Sequence, residues 1–219
     1  MRTKHFLLTV CLLSCPAVVL AEPAASPDEN LAQFTAAAME GKVAEAKELL
    51  AKPGFLHAAD RDGHTALFGA ACAGNLEILD AVLAHSPDVN RRDRKGATAL
   101  FYAASGGKIP VLKRLLDSGA DLNLRNNDGR TPLIAAVMLN QREAVQLLLQ
   151  RGAAVNLQDR NGGTALFYAA ADGRFELVQV LLAQHADPKL TLANGETALD
   201  AAREKQHSKV VNLLMGLTT

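Results

Sequence analysis

The chain runs to 219 residues and carries 23 Lys+Arg against 23 Asp+Glu, so it lacks the basic excess that marks most nucleic-acid binders. Apolar residues make up 49%, but only 4% are aromatic and none is Trp. A core of this kind is assembled mainly from Ala, Leu and Val, which suits closely packed helices, and the length allows one or two domains.

Residues 1–21 read as a secretory signal. Arg2, Lys4 and His5 are basic, Phe6 to Leu20 is mostly apolar, and Val19-Leu20-Ala21 offers short side chains just before Glu22-Pro23. The apolar run of about 15 residues is shorter than the ~20 that span a bilayer, and it contains Ser14 and Pro16. A lipid-bearing Cys15 fits less well, because the stretch after it is still apolar. Cleavage after Ala21 removes Arg2, Lys4, Cys11 and Cys15, leaving Cys72 alone and no intramolecular disulfide. An exported chain held by packing alone fits a bacterial periplasm, or secretion, better than a disulfide-stapled extracellular domain. Residues 22–28, rich in Pro and Ala, read as a short flexible leader.

From residue 29 the chain is periodic. Residues 29–59 keep a two-helix pattern but lack the Gly-x-Thr opening, and read as an N-terminal cap repeat. Thr65, Thr98, Thr131, Thr164 and Thr197 then recur every 33 residues. Gly63, Gly96, Gly129, Gly162 and Gly195 stand two before them, Leu67, Leu100, Leu133, Leu166 and Leu199 two after, and Ala70, Ala103, Ala136, Ala169 and Ala202 five after. The glycine closes a turn that needs positive φ, and Asp60, Asp93 and Asp159 open such turns by bonding the backbone that follows. The threonine caps a first helix, and Pro132 sits at an N1 position where its missing N–H costs nothing. Gly74, Gly107 and Gly173 end first helices, and Gly119 and Gly152 end second helices. Second helices show Leu, Val and Ile at helical spacing, as in Ile78, Leu79, Val82 and Leu83. This divides the chain into repeats 60–92, 93–125, 126–158 and 159–191 and a polar C-terminal cap repeat, 192–219.

This unit resembles the ankyrin repeat, with its period of 33 and Thr-Pro-Leu-His-x-Ala core. Here the core reads Thr98-Ala99-Leu100-Phe101-Tyr102-Ala103 and Thr131-Pro132-Leu133-Ile134-Ala135-Ala136. The family histidine is replaced by Phe68, Phe101, Ile134, Phe167 and Asp200. The resemblance implies an all-α ankyrin-repeat solenoid of stacked helix-turn-helix units with β-hairpin or turn fingers.

Chemistry is sparse. Cys72 reads as a small filler near the end of a first helix, and His57, His64, His85, His185 and His207 form no pair at metal-ligand spacing. Gly106-Gly107-Lys108 lacks the flanking residues of a phosphate loop, and Asp60-Arg61-Asp62-Gly63 reads as a turn. The expectation is a monomer that is not an enzyme and has no cofactor, no metal, and no nucleic-acid or membrane partner after signal cleavage. The resemblance implies a protein partner on the concave face, made of finger tips and the exposed side of first helices. The repeat register puts Arg61, Arg94 and Arg160 at tips, Arg92 and Arg125 beside them with Lys95 and Arg130, Tyr102 and Tyr168 four residues after Thr, and Met138 and Leu139 further along. Tyr and Arg are usual interfacial anchors, although arginines at turns are often only solvated. Leu139 stands out because other repeats carry Ala73, Gly106, Asp172 and Lys205 there. These features imply a periplasmic interaction module, acting as adaptor, stabiliser or inhibitor of an envelope protein. The alternatives are an immunity protein against a toxin and a secreted effector that acts on a host protein.

Overall fold

The computed structural model describes residues 27–218. The signal segment and most of the leader therefore lie outside the described residues. The chain divides into two compact units, the first ending at Asp121 and the second beginning at Leu122.

Short helices alternate with turns throughout. In the first unit these are α1 (Pro27–Glu40), α2 (Val43–Leu50), α3 (Ala66–Ala73), α4 (Leu76–Leu83), α5 (Ala99–Ser105) and α6 (Ile109–Asp117). In the second they are α7 (Pro132–Met138), α8 (Arg142–Gln150), α9 (Ala165–Ala171), α10 (Phe175–Ala183), α11 (Ala198–Glu204) and α12 (Ser208–Thr218). The first described helix begins at Pro27, inside the segment expected to be a flexible leader.

Each first helix packs on the first helix of the next repeat: α1 on α3 and α3 on α5 in the first unit, α7 on α9 and α9 on α11 in the second. None of these helices is long enough to hold itself together in water, so packing supplies the stability. Ala66, Ala70, Ala99, Ala103, Ala136, Ala165, Ala169 and Ala202 are buried, and their small side chains allow close approach. Phe68, Phe101, Ile134 and Phe167, the residues standing in for the family histidine, are buried among them.

The backbone repeats as faithfully as the sequence. Position nine after Thr is left-handed in all five repeats: Gly74, Gly107 and Gly173, but also Asn140 (φ 56) and Gln206 (φ 59). The end of the second helix behaves alike, with Ser86 (φ 51) and His185 (φ 62) matching Gly119 and Gly152. The same cap bonds accompany it in each case, the Gln141 N–H donating to the Ala136 carbonyl and the His207 N–H to the Ala202 carbonyl as Lys108 does to Ala103, so the helix C-cap holds this conformation even where no glycine stands. The turn glycines also meet a steric demand: a Cβ on Gly129, at φ 80, would lie 2.8 Å from the Arg160 backbone nitrogen.

The Thr caps form at Thr98, Thr131, Thr164 and Thr197, whose hydroxyls accept N–H bonds three residues on. Thr65 departs from this expectation. Its side chain makes no cap bond, and the Phe68 N–H instead reaches the Thr65 carbonyl at 3.0 Å. The cap repeat 192–219 is reinforced by a reciprocal capping box between Thr197 and Asp200.

The fingers are turns stapled by side chains. Among the described residues the only β pairing is an isolated bridge, Thr191 with Thr197. Asp60 Oδ1 accepts from the N–H groups of Asp62 and His64 (2.8 and 2.9 Å). Asn126 serves Asp128 and Arg130 in the same way, and Asp159 serves Asn161 and Gly163. These carboxylates and amides take donors that a longer strand ladder would otherwise use. Arg92 and Arg125 were expected beside the partner surface. Their Nε atoms instead donate to the Gly96 and Gly129 carbonyls, each at 2.9 Å, and so clasp their own fingers. Gln158 makes the equivalent bond to Gly162.

Candidate partner-binding surface

Successive fingers are tied by one backbone bond each. In the first unit Arg94 N–H donates to the Asp62 carbonyl (2.8 Å); in the second, Arg160 donates to Asp128 and Ala193 to Asn161 (both 2.9 Å). This line of bonds fixes the tip backbone and leaves the Arg61, Arg94 and Arg160 side chains exposed. Arg91, Arg92, Arg94 and Lys95 make the 91–95 finger strongly basic at its surface, because its one carboxylate, Asp93, is turned inward with its side chain 1% exposed.

The two tyrosines face the other way from the expectation. The Tyr102 ring is buried, and its hydroxyl donates to Asp93 Oδ2 at 2.6 Å. Tyr168 is half-buried, and its hydroxyl donates to Asp159. In each case burial, followed by the hydrogen bond to the carboxylate, opposes ionisation of the phenol: Tyr168 is pushed up to about 12, and Tyr102 goes higher still. Each ring stands edge-on to the phenylalanine before it, Phe101–Tyr102 at 82° and Phe167–Tyr168 at 89°. A small residue makes the room: a Cβ on Gly163 would fall 2.7 Å from the Tyr168 ring, and Ala97 holds the matching place beside Tyr102's finger.

Each carboxylate also meets a basic group from the preceding repeat. In the first unit His64 sits with Nε2 3.4 Å from Asp93 Oδ2 and Nδ1 3.2 Å from Asp60 Oδ2. Burial works against a charge on His64, but the two carboxylates outweigh it and shift the imidazole upward from its ordinary value of 6.5. Asp93 feels the same burial, overcome by bonds from His64, Tyr102 and the Ala97 N–H, and its net shift is downward. In the second unit the basic group is Arg130, whose Nε lies 3.6 Å from Asp159 Oδ2. Arg130 is thus half-buried, with much of its charge directed into its own unit rather than outward.

Met138 and Leu139 are half-buried at the end of α7. The Met138 carbonyl accepts from Arg174 at 3.0 Å. This belongs to a further regularity: Lys108, Arg174 and His207, ten residues after Thr, cap the carbonyl end of the previous repeat's first helix at Cys72, at Val137 and Met138, and at Ala171. Among the described residues no group of three or more His, Cys, Asp or Glu is placed to hold a metal ion.

The sequence reading missed the inward networks, although a signal for them exists. His64 and Arg130, Asp93 and Asp159, and Tyr102 and Tyr168 are each two repeats apart in the sequence. Beneath the 33-residue period, therefore, lies an alternation of two kinds of repeat.

The sequence model described as Ankyrin repeats (3 copies) matches residues 70–159 and 140–218. No curated protein matches the chain. Among solved structures, the chain is similar to the immunity protein Bd3460 in its complex with the Bd0816 predatory endopeptidase from Bdellovibrio bacteriovorus. The likeness is 29% identity with a TM-score of 0.75, covering 84% of this chain and 97% of that one.

Proposed function

Because the chain belongs to the ankyrin-repeat family, whose repeats mediate protein–protein interaction, we propose that it is an exported protein-binding module that inhibits an endopeptidase made by its own cell. The observation that carries this reading is the likeness to an immunity protein bound to an endopeptidase, which extends over nearly all of that chain. A similar repeat surface, loaded onto an enzyme in the same compartment, supplies inhibition with no chemistry of its own. The leader pattern of residues 1–21 supports placement in the periplasm or outside the cell.

The contacts proposed for the partner are the exposed tips Arg61, Arg94 and Arg160, with Met138 and Leu139 as apolar additions at the C-terminal end of α7. Arg130, Tyr102 and Tyr168 support those fingers from within. Affinity capture from an envelope extract, using residues 22–219 as bait, should retain a peptidase whose activity is lost in the complex. Changing Arg61, Arg94, Leu139 and Arg160 together to Ala should weaken capture about tenfold or more while leaving the thermal transition in place. Retention of a protein with no hydrolytic activity, or of a peptidase that stays fully active, sinks the inhibitory reading.

A further inference from the structure

His64 is the one basic group in the two inward networks that can lose its charge near neutral pH, and its position makes that loss consequential. Both of its ring nitrogens face carboxylates, Nδ1 toward Asp60 Oδ2 at 3.2 Å and Nε2 toward Asp93 Oδ2 at 3.4 Å. An imidazolium donates from both nitrogens, whereas a neutral imidazole donates from one and turns a lone pair on the other carboxylate. The geometry therefore has no equally good neutral form. The small cleft beside the ring is lined by no Lys or Arg that could replace the missing charge. Helix α1 presents Leu31 and Thr35 to the small cleft beside the ring, and α3 presents Phe68 and the Cys72 thiol. Helix α5 presents Tyr102, already committed to Asp93, with its ring 6.0 Å from the imidazole.

Asp93 is where the loss is felt. Its Oδ1 accepts the Ala97 N–H at 2.8 Å, closing the 91–95 finger, and its Oδ2 receives both His64 and Tyr102. In the second unit the same construction, Asp159 with Gly163 and Tyr168, is served by Arg130, which keeps its charge at any ordinary pH.

We propose that His64 makes closure of the first unit's 91–95 finger pH-sensitive, holding it shut when protonated and loosening it when neutral, while Arg130 keeps the equivalent finger of the second unit closed as pH rises through the same range. The device rests on the fold alone and holds whatever the partner is. Its sign follows from the net shifts. The His64 contribution is complete below its ordinary value of 6.5 and is lost as pH rises through the higher value it has in the fold. The Asp93 contribution is present above its ordinary value of 3.8 and is lost only as pH falls through its lower folded value. The finger is tightest between those limits and loosens on the alkaline side.

Amide hydrogen exchange of the full chain tests this, with two sites read in one sample. The Ala97 N–H reports the first finger and the Gly163 N–H, bonded to Asp159 at 2.9 Å, reports the second. After correction for intrinsic base catalysis, protection at Ala97 should fall about tenfold relative to Gly163 between about pH 6 and about pH 8.5. His64→Arg should abolish the fall, and Arg130→His combined with Asn126→Asp, which restores the second carboxylate, should transfer it to Gly163. If His64→Arg does not fold, the Arg130→His/Asn126→Asp protein decides alone. A flat Ala97-to-Gly163 ratio in the natural chain, or an unchanged fall in His64→Arg, overturns the proposal, as does an Arg130→His/Asn126→Asp protein whose Gly163 protection does not change with pH.

Discussion

The two units solve one packing problem with different cations. Each buries a carboxylate beneath a finger, Asp93 in the first and Asp159 in the second, with side chains 1% and 0% exposed. Each satisfies it with finger N–H groups and a tyrosine hydroxyl from the same repeat. The remaining charge is balanced from the preceding repeat, by His64 in one unit and Arg130 in the other. A buried carboxylate is tolerable only when hydrogen-bonded and paired. The comparison shows that the scaffold demands a cation at this place without demanding a permanent one.

The largest break in that comparison comes from removing the carboxylates. Asp159→Ala removes the acceptor of three hydrogen bonds that close its finger and one of the two acidic neighbours of Arg130, and should cost about 3 kcal/mol or more. Asp93→Ala should cost a similar amount near pH 6 but distinctly less near about pH 8.5, because His64 can shed its proton and become a neutral core side chain. Urea denaturation of both variants at both pH values measures this. Equal losses at the higher pH would mean that the two cations behave alike.

A smaller effect follows from the hydroxyls. Tyr102→Phe and Tyr168→Phe should each cost about 1.5–3 kcal/mol, since each loses a hydrogen bond to a charged acceptor. The chain has only two tyrosines, so ultraviolet titration reads the two networks directly. Tyr168 should ionise near about 12 and Tyr102 later, with each Phe variant assigning one step. Because the folded phenols resist ionisation, stability should begin to fall once pH passes their ordinary value of 10.0. A step at that ordinary value in the folded protein would show that a hydroxyl does not reach its carboxylate.

The smallest difference lies in the helix caps. Thr98→Ala should cost about 1 kcal/mol by losing its cap bond, whereas Thr65→Ala, where that bond is absent, should cost little. Thermal unfolding of the pair is sufficient to separate them, and equal losses would show that Thr65 caps α3 in solution.

The helices, their order and their turns were legible because each follows from local residue chemistry repeated five times. Thr opens a helix, Gly closes one, and Leu, Val and Ile face a neighbour at fixed intervals. The direction of Tyr102 and Tyr168 was not legible from one repeat, because position four after Thr can point outward or under the finger. What draws them in is a carboxylate nine residues earlier in the chain and a small residue, Ala97 or Gly163, that leaves space for the ring. Arg92 and Arg125 misled for a related reason: a long polar side chain at a turn looks solvated until the carbonyl it clasps is seen. The left-handed Asn140 and Gln206 were hidden because the cap bonds that close the first helix hold that backbone conformation without the glycine that signals it elsewhere.

The alternation of two repeat kinds constrains how such a chain can lengthen or shorten. Copying residues 93–158 in tandem keeps every inward carboxylate behind a basic neighbour. Copying 126–158 alone places Arg130 against a second Asn126, where only the exposed Asp128 of its own repeat is left to pair with it. Growth by even steps is therefore the path along which intermediates stay folded, and a natural library of longer or shorter versions should be spaced by pairs of repeats.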